Sequence, residues 1–212
     1  MAGETRPHDS TLAEVAASHY APRDLRSRVA AVVEASGRSD NVGVDDLAPL
    51  DQFHVEGIAP VRRLAAKAGL NPSMHVLDVA CGMGGPARYI AKHYGCRVTG
   101  VEYSQQFLET AQYLCELTKM DDQVEFVHGD ATNLSFADES FDVTWTQHAQ
   151  CNIADKERFF SEMRRTLKRG GRCVMHDLYG ADGLSPTFPA YWAREASDSY
   201  LITPERTKEL LE

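Results

Sequence analysis

Three carboxylates recur at matching places in the chain: Asp78 in "VLDVACGMGGPARYI", Glu102 in "VTGVEYSQQF" and Asp130 in "VEFVHGDATN". Each closes or directly follows a short apolar run, and the first precedes a glycine-rich turn carrying Gly82 and Gly84. Acids so placed attract cations and accept from hydroxyl and amino donors. Glu102, with two oxygens, suits a ribose diol, and Asp130 suits an exocyclic amine. An anionic ligand fits less well, because Asp78 would repel a phosphate at the glycine turn. "GMGGPA" does match the G-x-G-x-x-A pattern of dinucleotide sites, with Glu102 twenty residues beyond Gly82, so a nicotinamide-dependent oxidoreductase stays open as the weaker alternative. A ligand combining an ammonium, a sulfonium, a ribose and an adenine answers all three acids. S-adenosylmethionine is such a ligand.

The acids converge only if the runs that carry them lie side by side. After Pro72, "MHVLDVA", "CRVTGVE", "QVEFVHG", "FDVTWTQ" and "RCVMHDLY" alternate with amphipathic helices, the pattern of βαβ units around a parallel sheet. In such a sheet, ligands bind beyond the carboxyl ends of the strands, where strand order reverses. The first intervening helix puts Ala87, Ile90, Ala91 and Tyr94 on one face, and the second starts at Ser104 with Phe107, Ala111, Leu114 and Cys115 inward. The third starts near Asp155, turns Phe160, Met163 and Leu167 inward and closes at Gly170. Trp145 reads as core. The region before Pro72 is helical: "STLAEVAASHY", then "DLRSRVAAVVEASG" with Leu25, Val29, Val32 and Val33 inward, then a face of Ile58, Val61, Leu64, Ala65 and Ala68. The expected fold class is α/β, a Rossmann-like doubly wound parallel sheet under an N-terminal helical lid. The lid takes residues 1–56, the Rossmann-like domain 57–180, and a substrate-side loop with the start of a helix 181–212.

Bulk properties narrow the partners. A net charge of −9 argues against nucleic acid, whose affinity comes largely from phosphate neutralisation. Five widely spaced cysteines, without a paired motif, suit buried thiols in a reducing compartment rather than disulfides or a metal. With no apolar stretch of membrane-spanning length and no secretion-signal core in "MAGETRPHDS", a cytoplasmic protein without membrane insertion is expected.

The stretches around the three acids, with "FADESFDVTWTQHAQCNIADK" and "EMRRTLKRGGR", resemble class I S-adenosylmethionine-dependent methyltransferases from Leu70 to about Tyr179. "LAPLDQFHVEG" and "FPAYWAREASDSYLITPE" resemble the small-molecule branch, with sarcosine and dimethylglycine N-methyltransferases and relatives of quinone- and sterol-methylating enzymes. The resemblance implies that Asp78, Gly82 and Gly84 surround the methionyl end of the cofactor, Glu102 and Tyr103 the ribose, and Asp130 and Ala131 the adenine. It implies that Gln147 and His148 border the methionine moiety and the acceptor, and that Tyr20, Gln52 and His54 face inward from the lid. Methyl transfer needs nucleophile, methyl and sulfur in line. An acceptor that must lose a proton also needs a base. His148 is the first candidate base and His176 a weaker one. Tyr20, Tyr191 and Trp192 offer either a cage for a methylated ammonium or lid packing. The basic group Arg164, Arg165, Lys168 and Arg169 reads as the complement of a helix C-terminus.

Five strands stand where the family has seven, so the chain reads as a fragment whose last strand is an exposed edge, open to homodimerisation. A cofactor-binding subunit without turnover is the other alternative.

Overall fold

The computed structural model describes residues 24–37, 41–52 and 55–212. The "STLAEVAASHY" helix with Tyr20, and His54, lie outside the described residues. Five strands form one parallel sheet: β1 (His75–Val79), β2 (Arg97–Glu102), β3 (Val124–His128), β4 (Phe141–Gln147) and β5 (Leu167–His176). Their order is β3-β2-β1-β4-β5. The direction of winding reverses between β1 and β4, which puts the ligand crevice at the carboxyl ends of those two strands.

The helices among the described residues are α1 (Leu25–Ala35), α2 (Ala48–Asp51), α3 (Ile58–Ala68), α4 (Gly85–Tyr94), α5 (Gln105–Leu117), α6 (Lys156–Thr166) and α7 (Pro204–Leu211). Alternation along the strands divides the core in two. Val76, Val98, Val143 and Trp145 pack with Val61 and Ala65 of α3 and Ala87 and Ile90 of α4. Leu77, Val79, Val101 and Phe141 pack on the other face with Phe159, Phe160 and Met163 of α6. A third cluster joins Val29 and Val33 of α1 to Leu114 of α5 and to Met83 of the glycine turn, so the N-terminal segment rests on the loop expected to hold the ligand. Val32, read as inward from the sequence, is 56% exposed, because the packed face of α1 is the one that carries Val29 and Val33.

Two local expectations change. The third intervening helix, α6, ends at Thr166, and Leu167 already pairs in β5. Between the pairs Phe141↔Leu167 and Val143↔Arg172, β4 advances two residues and β5 five, so Gly170 lies in a bulge rather than at a helix end. Of the basic group, Arg164 and Arg165 do lie in the last turn of α6, whereas Lys168 and Arg169 lie in β5. Arg165 bonds Glu162, Asp138 and the carbonyls of Leu134 and Phe136, while Lys168 pairs with Asp142 and Arg169 with Glu139. These contacts fasten α6 and the start of β5 to the loop that leads into β4.

No strand among the described residues pairs with the outer edge of β5, where Cys173 is exposed. Free backbone groups on such an edge template pairing with another chain. The expected outcome is concentration-dependent self-association in sedimentation velocity. A monomer at every concentration would show that the edge is blunted. No helix among the described residues is long and apolar enough to cross a membrane.

Candidate functional site

A cavity of about 240 Å³ opens at the carboxyl ends of β1 to β4. Asp78, Glu102 and Asp130, from three neighbouring strands, all line it. Asp78 is 2% exposed, and its Oδ2 is buried without a hydrogen-bond partner among the described residues. Burial, and secondarily the charge of Glu102, pushes its pKa up to about 8.

Glu102 is held by backbone. Its Oε2 accepts from Gly82 N at 2.9 Å and its Oε1 from Ser104 N at 2.8 Å. Each oxygen keeps a further lone pair, so the carboxylate is oriented without being saturated. Ser104 also caps α5, its side chain accepting from Phe107 N. One residue thereby fixes both the acid and the helix that follows it.

The two glycines of the turn part company. Gly82 has φ +56°, lines the cavity, and a Cβ there would meet nothing within 4 Å, leaving room for a ligand. Gly84, expected beside the methionyl end, does not line the cavity. A Cβ on it would come 2.3 Å from Phe126 Cζ, so this glycine is there for the packing of β3 against the turn.

Asp130 Oδ1 accepts from both the backbone N–H and the hydroxyl of Thr132 at 2.8 Å, which shapes the loop after β3 and places Ala131 on the cavity wall. Tyr103 lines the cavity, its carbonyl bonded by His128 Nε2 at 2.8 Å. Gln147 is oriented from below. The indole N–H of Trp145 can only donate, and it meets Gln147 Oε1 at 3.0 Å, so Gln147 Nε2 is the remaining donor, buried and without a partner among the described residues.

Beyond β4 the other half of the cavity begins. His148 has φ +52°, donates its backbone N–H to the His176 carbonyl at 2.9 Å, and shares a 3.0 Å hydrogen bond between Nδ1 and the Tyr191 hydroxyl. Burial pushes the Tyr191 pKa up to about 12, so the hydroxyl keeps its proton. His176 stacks behind His148 with ring centroids 5.1 Å apart, but it does not line the cavity. The segment carrying Tyr191 and Trp192 is tied to the loop after β4: Asn152 Nδ2 donates to the Trp192 carbonyl at 2.7 Å and Tyr200 N to the Cys151 carbonyl at 2.8 Å. Asp177 Oδ2 gathers the amides of Ala149 and Gln150 at 3.0 Å each, and buried Lys156 bonds the carbonyls of Gln150 and Ile153.

Gln52 lies against Gly85 rather than on the cavity wall. Its neighbour Asp51 does line the cavity, and the sequence reading missed it. Asp51 pairs with Arg88 of α4 at 2.7 Å, both side chains fully buried. The signal lay in "GGPAR", where an arginine sits among positions that are all buried from Gly85 to Ala91.

Residues 77–175 match a family model described as a methyltransferase domain. A sterol 24-C-methyltransferase of Gibberella zeae is 39% identical over 126 residues, covering 57% of this chain and 33% of that protein. A 2-methyl-6-phytyl-1,4-hydroquinone methyltransferase of Synechocystis is 42% identical over 120 residues, covering 55% of this chain and 37% of that protein. The chain therefore spans about a third of the length of the curated relatives it matches. Among solved structures, a Haemonchus contortus phosphoethanolamine N-methyltransferase 2, in complex with phosphomonomethylethanolamine and S-adenosylhomocysteine, superposes with a TM-score of 0.68 at 26% identity over 76% of this chain and 38% of that one. Sheet order, the acids at the strand ends and these likenesses agree, and residues 77–175 are similar to a methyltransferase domain and share the fold of the S-adenosylhomocysteine-bound relative.

Proposed function

We propose that the chain binds S-adenosylmethionine in this cavity and directs its methyl group to an apolar small molecule of the sterol or quinol kind. The observation that carries the reading is the convergence of Asp78, Glu102 and Asp130 on one cavity beside Gly82. The residues fit the cofactor: the unpartnered oxygen of Asp78 suits its ammonium, and the space beyond Gly82 is open. In its ionised form, which an ammonium favours, the same acid disfavours a dinucleotide, whose pyrophosphate would face it.

When bound, the cofactor supplies a methyl group on a positively charged sulfur. The chain has to bind, orient and exclude water, and such positioning can contribute on the order of 7–11 kcal/mol. Glu102 would accept from the ribose hydroxyls, Asp130 and Ala131 border the adenine, and Gln147 Nε2 donates towards the methionyl end or the acceptor. Tyr191 and Trp192, their rings 5.3 Å apart and nearly perpendicular, form an aromatic wall on the acceptor side. His148 is the proton-handling group there. Its bond to Tyr191 survives either tautomer, because the hydroxyl can donate to Nδ1 or accept from Nδ1–H. The apolar acceptor class is supported by the names of the sterol and hydroquinone relatives.

The test is release of S-adenosylhomocysteine, followed by mass spectrometry, from the full chain given a sterol, a prenylated quinol or an amine. Release with the sterol or quinol is expected. Release with the amine alone would overturn the acceptor class, and no release despite cofactor binding would leave a binding subunit. The ribose contact has its own check. Glu102→Ala should weaken S-adenosylhomocysteine binding in calorimetry by about 1.5–3 kcal/mol per charge-assisted bond lost, and Glu102→Gln by less. Unchanged affinity in both variants would remove Glu102 from the site.

A further inference from the structure

Asp51 is bound to Arg88 through Oδ2 only; its Oδ1 is buried without a hydrogen-bond partner among the described residues. Arg88 is no better served, since Nη1 reaches the Ala111 carbonyl at 3.3 Å and Nε has no partner among the described residues. A buried pair kept only to tie α2 to α4 would be expected to satisfy both ends, because each unmet polar atom opposes folding. Apolar residues of similar volume could do the same tying without the desolvation of two charges. The leftover oxygen therefore calls for a ligand.

Its position says which. The Asp51 carboxyl lies 2.9 Å from where a Cβ on Gly85 would stand, so it borders the glycine turn at the start of α4, and Asp51 lines the cavity. Asp78 precedes the same turn and lines the same cavity, and the Cys81 thiol of the turn feels the charges of Asp78, of Glu102 and of Arg88, the partner of Asp51. Two buried carboxylates, each with one oxygen unpartnered among the described residues, thus line one cavity on either side of the glycine turn in sequence. An ammonium carries three N–H donors, more than Asp78 alone can serve.

We propose that Asp51 is a second carboxylate for the ammonium of the cofactor's methionyl end, working beside Asp78. This rests on the reading that the cavity holds S-adenosylmethionine. Arg88 then acts as a positioning residue, turning Oδ1 of Asp51 towards the ligand by holding Oδ2.

The test compares two ligands that share the adenosine and the thioether. S-adenosylhomocysteine has the ammonium, and 5′-methylthioadenosine does not. Asp51→Asn should raise the Kd of the full chain for S-adenosylhomocysteine at least tenfold in calorimetric titration, and change that for 5′-methylthioadenosine by less than twofold. Equal loss for both ligands, or loss for neither, overturns the proposal, since a residue that only supports the turn cannot tell them apart. If Asp51→Asn does not fold, the wild-type chain carrying ¹³C-aspartate decides. The Asp51 carboxyl resonance should move with S-adenosylhomocysteine and stay with 5′-methylthioadenosine, and the same movement with both overturns the proposal. Failure of the wild-type chain to bind either ligand would instead strike at the proposed function.

Discussion

Asp78→Asn is expected to melt at a higher temperature than the parent chain in the absence of ligand, and to bind S-adenosylhomocysteine more weakly. Burial, and then Glu102, holds the Asp78 pKa at about 8 in the folded chain, against an ordinary value near 3.8. Between those values the unfolded chain gives up the proton while the folded one keeps it. Stability of the ligand-free protein therefore falls as pH rises from about 4 to about 8. At roughly 1.4 kcal/mol per unit of pKa difference, the effect near neutrality is on the order of a few kcal/mol, and asparagine removes it. Cofactor binding reverses the preference, because an ammonium favours the ionised carboxylate. The parent should bind S-adenosylhomocysteine more tightly as pH rises towards 8, releasing a proton at lower pH, and the variant should lose that dependence. Melting curves from pH 5 to 9, with and without ligand, read both effects. A ligand-free variant that melts below the parent throughout would show that Asp78 is not held protonated.

The second large effect concerns chemistry rather than binding. His148→Ala is expected to lower turnover by 10²- to 10⁴-fold, the range for loss of a general acid or base, with S-adenosylhomocysteine affinity nearly unchanged. Tyr191→Phe removes the hydroxyl from Nδ1 and should give a smaller loss with an altered pH profile. Single-turnover rates across pH separate the outcomes. If both variants turn over like the parent at every pH, His148 serves only as packing beneath the acceptor wall.

The parts of the site that the sequence displayed are those built by one strand and its own turn. Asp78, Glu102 and Asp130 were visible because each closes or follows an apolar run, and parallel pairing then brings the runs together without further information. Gly82 was visible for the same reason. The packing constraint on Gly84 was not visible, because the side chain that needs its missing Cβ, Phe126, comes from a strand two crossovers away. Asp51 was hidden by distance, since its partner Arg88 lies 37 positions further on. The end of α6 was obscured because a bulge and a helix stop use the same glycine signal, and only the pairing of Leu167 with Phe141 separates them. The tie between Asn152 and the Trp192 carbonyl has no sequence signature, because one partner is backbone.

The proposed acceptor side is fastened by its own bonds: Asn152 to Trp192, Cys151 to Tyr200, and Asp177 to the amides of Ala149 and Gln150. None of these residues belongs to the strands that end in Asp78, Glu102 and Asp130. Under the proposed function the two halves can diverge separately: one recognises a constant methyl donor, and the polar ties of the other leave it free to drift above the core that both share. Replacement of residues 181–203 by the corresponding loop of another methyltransferase becomes a route to new acceptors, provided the anchors at Cys151 and Asn152 are kept, while the donor half goes on reading the same molecule.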